Sequence, residues 1–484
     1  MPASFLFYDL ETFGADPRTS RIAQFAAIRT DADLNQIEDP ISVFVQPADD
    51  LLPSPIATLI TGIAPQQALR EGMSEAAAFA LIFDEMSRPE TCSLGYNSLR
   101  FDDEFVRYGL FRNFFDAYER EWRGGNSRWD LLDVLRLAHA LRPDGLWWPQ
   151  REDGATSFKL EHLAEANGVR EGDAHEALSD VRALIGLARK LKAAQPRLWD
   201  YALRLRDKRY AASLLDVIAM TPVLHVSQRF PASRMCSAAV LPVARHPRID
   251  SPVIAFDLDQ DPDALLRLSA DDIADRLYTP FADLPEGEQR IALKEIHLNR
   301  CPALIAWDHL RAPDFERLRI DPSETERRAA RIREAGPELV EKARQVFRKD
   351  RVREPSDPDA SLYDSFIGDG DKRLFAQVRT TSPQVLGQRE FGFRDARLPE
   401  LLFRYRARNW PETLSNDERD RWNAYRRQRL CTESGLSEYS FERFDAEIAA
   451  LRATHATDAD KLALLDRLQA WGREIGDELM EPVS

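Results

Sequence analysis

The chain opens on an apolar strand, residues 4–10 (SFLFYDL), that runs out in Asp9-Leu10-Glu11. Side chains i and i+2 of a strand share a face, so both carboxylates project together from the end of an otherwise apolar element. Acids held that close repel each other, and a hard divalent cation with oxygen ligands neutralises such a pair. Around this strand, residues 4–193 alternate in type. IAQFAAIRT and PISVFVQP read as strands, and AAAFALIFDEM, DDEFVRYGLF and WDLLDVLRLAHAL as helices. That alternation predicts an α/β domain with a mixed sheet. Its last helix, HEALSDVRALIGLARKLKAA, is stopped by Pro196.

Beyond Pro196 the pattern changes to short β-rich runs: VLHVSQRF, CSAAVLPVA, SPVIAFDL, IALKEIHL and CPALIAW, with one acidic helical stretch, DALLRLSADDIADRLY. A small barrel or sandwich with an inserted helix fits. After the Pro/Asp-rich segment 353–359, long helical periodicity takes over in ERDRWNAYRRQRL, YSFERFDAEIAALRATH and KLALLDRLQAWGREI. The expected domains are therefore 1–195, 196–352 and 353–484. A chain of 484 residues, 44% hydrophobic and 30% charged, has the composition of a soluble globular protein of that many domains. No apolar run approaches the roughly 18 residues that span a bilayer, and the N-terminus has neither a basic leader nor a cleavage site. The expected location is the cytoplasm, without membrane attachment. The four cysteines, Cys92, Cys236, Cys301 and Cys431, form no C-x-x-C pair, which argues against a disulfide framework or a cysteine zinc site.

Lys and Arg number 66 against 81 Asp and Glu, a net charge of −15, which argues against bulk electrostatic coating of nucleic acid and does not forbid a local basic groove. Residues 201–250 hold eight Lys/Arg against three acids, and 251–290 three Arg against ten acids. Residues 401–430 hold eight Arg against four acids, interleaved with Phe403, Tyr405, Trp410, Trp422 and Tyr425. Arginine among aromatics is a composition that tracks a phosphate backbone and stacks on bases, and equally one of an ordinary solvated helix face with salt bridges.

Further acids accompany Asp9 and Glu11. In Gly95-Tyr96-Asn97-Ser98-Leu99-Arg100-Phe101-Asp102, a strand end, short loop and helix start present Asp102 at an element terminus. The last helix of the domain is expected to start near Asp173, a candidate N-cap with Glu176 as its capping-box partner. Asp180 lies on the stripe of Leu184, Leu187 and Leu191. An unpaired carboxylate facing the core is costly, so metal ligation explains it. His175, five residues earlier, is roughly 140° away around the helix and acts from its first turn or the preceding loop. Four acids and a histidine in this order suit two-metal phosphodiester hydrolysis, with Asp9, Glu11, Asp102 and Asp180 around the metals and His175 taking a proton from the attacking water.

At these residues the chain resembles the DEDD exonucleases with a catalytic histidine, built on a ribonuclease H-like fold, and among them the bacterial exonuclease I family. The similar stretches are FLFYDLETFG, LITGI, LGYNSLRFDDE, NSRWDLLDV, LEHLAEANG, AHEALSDV, KEIHLNRCP, LYDSF and LLFRYRARNWP, spread over nearly the whole chain. The resemblance implies a ribonuclease H-like α/β exonuclease domain, a small SH3-like barrel and a helical C-terminal domain. It implies a processive 3′→5′ exonuclease on single-stranded DNA, releasing 5′-mononucleotides in repair and recombination. The cofactor would be two Mg²⁺ ions, with Mn²⁺ as a substitute. Asp9, Glu11 and Asp180 match the metal ligands, Asp102 the remaining acid and His175 the general base. Thr61 and Gly62 fall where the main chain approaches the terminal nucleotide, and Glu11 also faces substrate. Arg107, Tyr118, Trp122, Arg136, Lys159, Lys208 and Lys294 match strand-contact positions. Lys159 stands where an arginine is expected, keeping the charge without the bidentate fork. The implied partner is the acidic C-terminal tail of single-stranded DNA-binding protein, and the implied state a monomer.

Two other readings share these residues. A 3′→5′ exoribonuclease would use the same catalytic set, and competition between matched DNA and RNA strands separates it. A catalytically inactive binding or recruitment module would have lost an acid or the histidine, and none is lost.

Overall fold

The computed structural model describes residues 2–170, 172, 176–348 and 355–480. Two compact units emerge: Met1–Ser127 with Arg170–Ile185 and Arg353–Ser484, and Arg128–Val169 with Gly186–Val352.

The first unit is built on a mixed sheet. Its strands β1 (Ser4–Thr12), β2 (Ile22–Thr30), β3 (Ile41–Phe44) and β4 (Thr91–Gly95) take the order β3-β2-β1-β4, and the next strand of the chain, β5 (Ser127–Asp130), runs from the boundary at Ser127 into residues of the second unit. β1 is antiparallel to β2 and parallel to β4. An interior strand flanked on both sides has to be apolar, which is why SFLFY is buried throughout. Helices Glu75–Met86 and Asp102–Arg112 cover one face, packing Phe79, Ile82, Phe105, Val106 and Leu110 on Leu6, Tyr8 and Phe25.

The C-terminal segment is part of this unit's core. Phe114 is fully buried, with the rings of Phe375, Tyr405 and Phe393 at 5.5, 5.5 and 6.1 Å. Leu52 packs with Leu430, Phe444, Leu465 and Trp471 of the terminal helices. The arginine-rich stretch 401–430 turns out to serve this joint. Arg404, Arg406, Arg408, Arg426 and Arg429 are almost wholly enclosed and bonded to carboxylates and carbonyls. The Arg408 guanidinium lies between Asp50 (2.9 Å) and Asp359 (2.6 Å). Arg404 reaches Asp357 (2.6 Å) and Asp359 (3.0 Å), and Arg406 reaches Glu418 (2.6 Å). Of the stretch's aromatics, Phe403, Tyr405, Trp422 and Tyr425 are buried too. The groove-like composition is here a buried ion network, so these five arginines are not a phosphate track.

The second unit carries the antiparallel sheet β10-β6-β7-β8-β9, from β6 (Val223–Val226), β7 (Ser237–Arg245), β8 (Pro252–Asp257), β9 (Leu293–His297) and β10 (Ala303–Ala306). Leu241, Val243, Ile254 and Phe256 face the helices Pro322–Glu334 and Gly336–Val346. Their alternates Val240, Val253, Ala255 and Ile296 face Leu205, Ala211 and Leu215. Both faces are covered, so the strands read as apolar runs without alternation. Pro242, which cannot donate to a ladder, sits at the register shift between Pro242 and Ala244. The acidic stretch expected as one helix is two, Asp263–Arg267 and Ala270–Tyr278, because Ser269 accepts from the Asp272 N–H and caps the second.

Candidate metal centre

β1 and β4 pair only from Ser4↔Thr91 to Phe7↔Leu94. Past that point β4 ends and its chain turns away, so Asp9 and Glu11 lie on β1 where one flank has opened, still in register with Ala26 and Gln24 of β2 on the other. The turn is tight. A Cβ on Gly95 would stand 2.7 Å from Ser98 Cβ and 3.0 Å from the carbonyl oxygen of Tyr8, so only glycine fits. Asn97 adopts the left-handed region (φ 62°), which asparagine tolerates. The loop delivers Asp102 as the first residue of the Asp102–Arg112 helix, whose N-terminal dipole favours the acids Asp102, Asp103 and Glu104.

Asp180 arrives from the first turn of the helix Ala177–Ala194. That helix starts later than the sequence pattern indicates, and the Glu176 side chain accepts the Ser179 N–H at 2.8 Å. The expected cap Asp173 and the expected base His175 lie outside the described residues. Ligand-capable oxygens of Asp9, Glu11 and Asp180 all lie within 4.8 Å of one another. Asp102 stands outside that trio but close enough to be the strongest carboxylate influence on Asp9. Asp180 is not unpaired as its place on the apolar stripe indicates: Arg170 Nη1 donates to it at 2.5 Å.

The electrostatics are those of crowded acids. Burial, then the charges of Asp102, Glu11 and Asp180, raise the Asp9 carboxyl well above its ordinary value. Burial, then Asp180, Asp102 and Glu176, push Glu11 up to about 8. Each acid resists ionising beside the others, and a divalent cation reverses that preference. An all-oxygen donor set suits a hard cation such as Mg²⁺ or Mn²⁺.

The strand-contact candidates fall in both units. In the first, Thr61 ends the helix Pro55–Thr61 and its hydroxyl accepts the Ile63 N–H (3.2 Å), while Gly62 is its left-handed cap. Arg107 is buried, held by Glu121 (2.7 and 2.9 Å), Glu104 (2.9 Å) and the Tyr363 hydroxyl (3.0 Å). Its guanidinium lies 5.4 Å from the half-buried ring of Tyr118, and Trp122 nearby in sequence is 66% exposed. In the second unit Arg136 is buried, pairs with Asp133 (2.8 Å) and lies over Phe158. Lys159 is exposed and pairs with Glu161 (3.1 Å), Lys208 is exposed, and Lys294 Nζ sits 3.9 Å over the Phe230 ring. Arg107 and Arg136 are thus pre-paired cations, not free ones.

Four residues beside the acids escape sequence reasoning: Arg170, Tyr8, Asp103 and Arg120. Tyr8 donates to Asp103 Oδ1 at 2.8 Å, and Arg120 Nη2 donates to the same oxygen at 2.5 Å. The doubled aspartate in F-D-D-E is a faint signal for Asp103; nothing in YERE marks Arg120.

Family models match almost end to end: an "Exonuclease" model over residues 6–188, an "Exonuclease I SH3-like domain" over 206–349 and an "Exonuclease I C-terminal domain" over 356–475. The chain is 43% identical to exodeoxyribonuclease I of Escherichia coli K12 over 474 residues, covering 98% of each. Among solved structures it resembles a moderately thermophilic exonuclease I from Methylocaldum szegediense (TM-score 0.94, 47% identity, 98% of this chain and 99% of that one). It also resembles the zinc-bound form of an Escherichia coli exonuclease I complex with single-stranded DNA (TM-score 0.92, 42% identity, 98% and 100%). Similarity of this depth across all three segments means that the chain belongs to the exonuclease I family.

Proposed function

We propose that this protein is a metal-dependent 3′→5′ exonuclease that degrades single-stranded DNA to 5′-mononucleotides. The observation that carries the proposal is the trio Asp9, Glu11 and Asp180, with oxygens within 4.8 Å at the family's motif positions. The relative with zinc and a DNA strand supports both the metal and the substrate. The trio would hold Mg²⁺, two ions with Asp102 completing the acidic surround, and Mn²⁺ would substitute. When bound, such cations acidify water and neutralise charge at a scissile phosphate. The protein's own groups do the rest. His175 takes the proton of the attacking water at a ring nitrogen. Thr61 and Gly62 offer main chain to the terminal nucleotide, Tyr118 and Trp122 stack bases, and Arg107, Arg136, Lys159, Lys208 and Lys294 track phosphates. Lys159, in place of the arginine expected there, contributes charge without a bidentate fork.

On this reading the chain has an exonuclease domain (1–195), an SH3-like domain (196–352) and a helical domain (353–484). It works as a monomer in the cytoplasm, in repair and recombination, with the acidic tail of single-stranded DNA-binding protein as partner. The test is hydrolysis of a 3′-exposed oligonucleotide in Mg²⁺, with products resolved by chromatography. Asp180→Ala is expected to abolish mononucleotide release without loss of the folded signal by circular dichroism. Full activity in that variant refutes the metal assignment, and a matched RNA strand degraded faster than DNA refutes the substrate.

A further inference from the structure

Behind the metal-site strand lies a group that none of the assigned roles uses. Strand alternation turns Tyr8 to the opposite side of the sheet from Asp9 and Glu11, into the core beside Phe25 and Phe105. There its hydroxyl donates to Asp103 Oδ1 at 2.8 Å, and Arg120 Nη2 donates to the same oxygen at 2.5 Å. All three side chains are essentially sealed, Arg120 among the largest fully buried in the chain. Enclosing an ion pair so completely gains little, since removing its hydration offsets the attraction and apolar replacements are often as stable. Arg120 even keeps Nε and Nη1 without hydrogen-bond partners. Stability is a poor reason for such a pair, and its placement supplies a better one. Tyr8 immediately precedes Asp9, Asp103 immediately follows Asp102, and Arg120 sits in the turn Glu119–Glu121 between Tyr118 and Trp122. One carboxylate oxygen therefore ties together the strand carrying two acids, the helix start carrying a third, and the turn carrying two aromatics.

We infer that Tyr8, Asp103 and Arg120 form a positioning strut that sets the spacing of Asp9 and Glu11 from Asp102, and that Arg120 locks the Tyr118–Trp122 turn to that spacing. The inference rests on reading Asp9, Glu11 and Asp180 as metal ligands. None of the three touches substrate or metal; they act through their neighbours. Ligand geometry has to hold within about 0.5 Å, and loss of such supporting bonds weakens metal affinity by about 10- to 100-fold.

The test measures Mn²⁺ binding directly, by calorimetry and electron paramagnetic resonance on the full chain, alongside steady-state hydrolysis. Tyr8→Phe removes one hydroxyl and keeps the ring in place. It is expected to raise the Mn²⁺ Kd about tenfold, lower kcat at fixed metal, recover kcat in excess Mn²⁺, and leave the oligonucleotide KM within twofold. Asp103→Asn is expected to do the same more strongly. Arg120→Lys is expected to retain most of the affinity, and Arg120→Met to raise KM as well as the Mn²⁺ Kd, because it also frees the aromatic turn. Mn²⁺ affinity within twofold of the parent in Tyr8→Phe overturns the strut, and that variant decides alone if Asp103→Asn does not fold. If the parent binds no Mn²⁺, or Asp180→Asn binds it as well as the parent, the metal reading itself fails, an outcome separate from the first and fatal to both.

Discussion

Replacing Arg408 with methionine isolates the energetic role of the buried ion network. The guanidinium lies 2.9 Å from Asp50 and 2.6 Å from Asp359, with all three side chains no more than 3% exposed. Arg408→Met keeps most of the volume and leaves two buried carboxylates short of a shared cation. Breaking a buried pair by removing one partner costs about 3–5 kcal/mol. Arg404 still holds Asp359 at 3.0 Å and Arg429 still approaches Asp50 at 3.5 Å, which points to the lower end, about 3 kcal/mol. At about 2 °C per kcal/mol for a unit of this size, the first unit's melting midpoint should fall by about 6 °C. The assay is calorimetry at pH 7 in low and high salt. Because the pair is enclosed, the loss should be nearly independent of salt, whereas Arg70→Met, which breaks an exposed pair with Glu71, should leave the midpoint almost unchanged. A midpoint for Arg408→Met within 1 °C of the parent, or a loss that vanishes in high salt, would refute the reasoning.

Three further outcomes follow from the same geometry. Gly95→Ala drives a Cβ into Ser98 and the Tyr8 carbonyl, so it should cost about 1–3 kcal/mol by chemical denaturation and at least about tenfold in hydrolysis as the loop to Asp102 shifts. The two units should lose stability in different pH windows. Burial raises the Asp50 and Asp359 carboxyls, but Arg408 first among the neighbouring arginines more than reverses this and holds both below the ordinary value of 3.8; their contribution is present above that value and lost as pH falls through the folded one. In the second unit burial, then Arg317, pushes His139 down to about 4, and burial, then Arg300, does the same to His297. The unfolded chain therefore takes up their protons first, and stability falls between pH 6.5 and 4; His139→Gln should flatten that slope in urea titrations across pH. Oligonucleotide affinity in EDTA should fall with salt at a slope of at most about 3.5, about 0.7 for each of Arg107, Arg136, Lys159, Lys208 and Lys294; a slope near 7 would mean the buried arginines of 401–430 also meet phosphates.

Most of the strands and the acidic trio are legible because each rests on a local period: i and i+2 for Asp9 and Glu11, the i+4 stripe for Asp180, short apolar runs for β6 to β10; β5 is not, because Trp129 and Asp130 read as the start of the helix that follows them. What is not legible depends on partners distant in sequence. Arginine among aromatics reads identically in a nucleic-acid groove and in a buried network, and the residues that decide, Asp50 and Asp49, lie 358 and 373 positions away from Arg408 and Trp422. Asp180 reads as unpaired because Arg170, ten residues earlier, lies outside the helical stripe that the sequence shows. The break at Ser269 is hidden because apolar spacing continues through a serine that caps instead of extending.

The arginines withdrawn from the substrate still serve the site. Arg429 donates to the Thr19 carbonyl at 2.7 Å and to the Asp50 carbonyl at 2.8 Å, and Arg112, at the end of the helix that Asp102 begins, donates to the Pro17 carbonyl at 2.8 Å. Both act on the loop that leaves β1 just after Glu11 and returns as β2. That loop has little regular structure of its own, so its position is set by the cations that close over it, one from the N-terminal segment and one from the C-terminal helices. A net charge of −15 is then less paradoxical for a DNA enzyme. Part of the positive charge is internal, where Arg112 and Arg429 hold the loop that follows β1, and the salt slope counts how many cations meet phosphates.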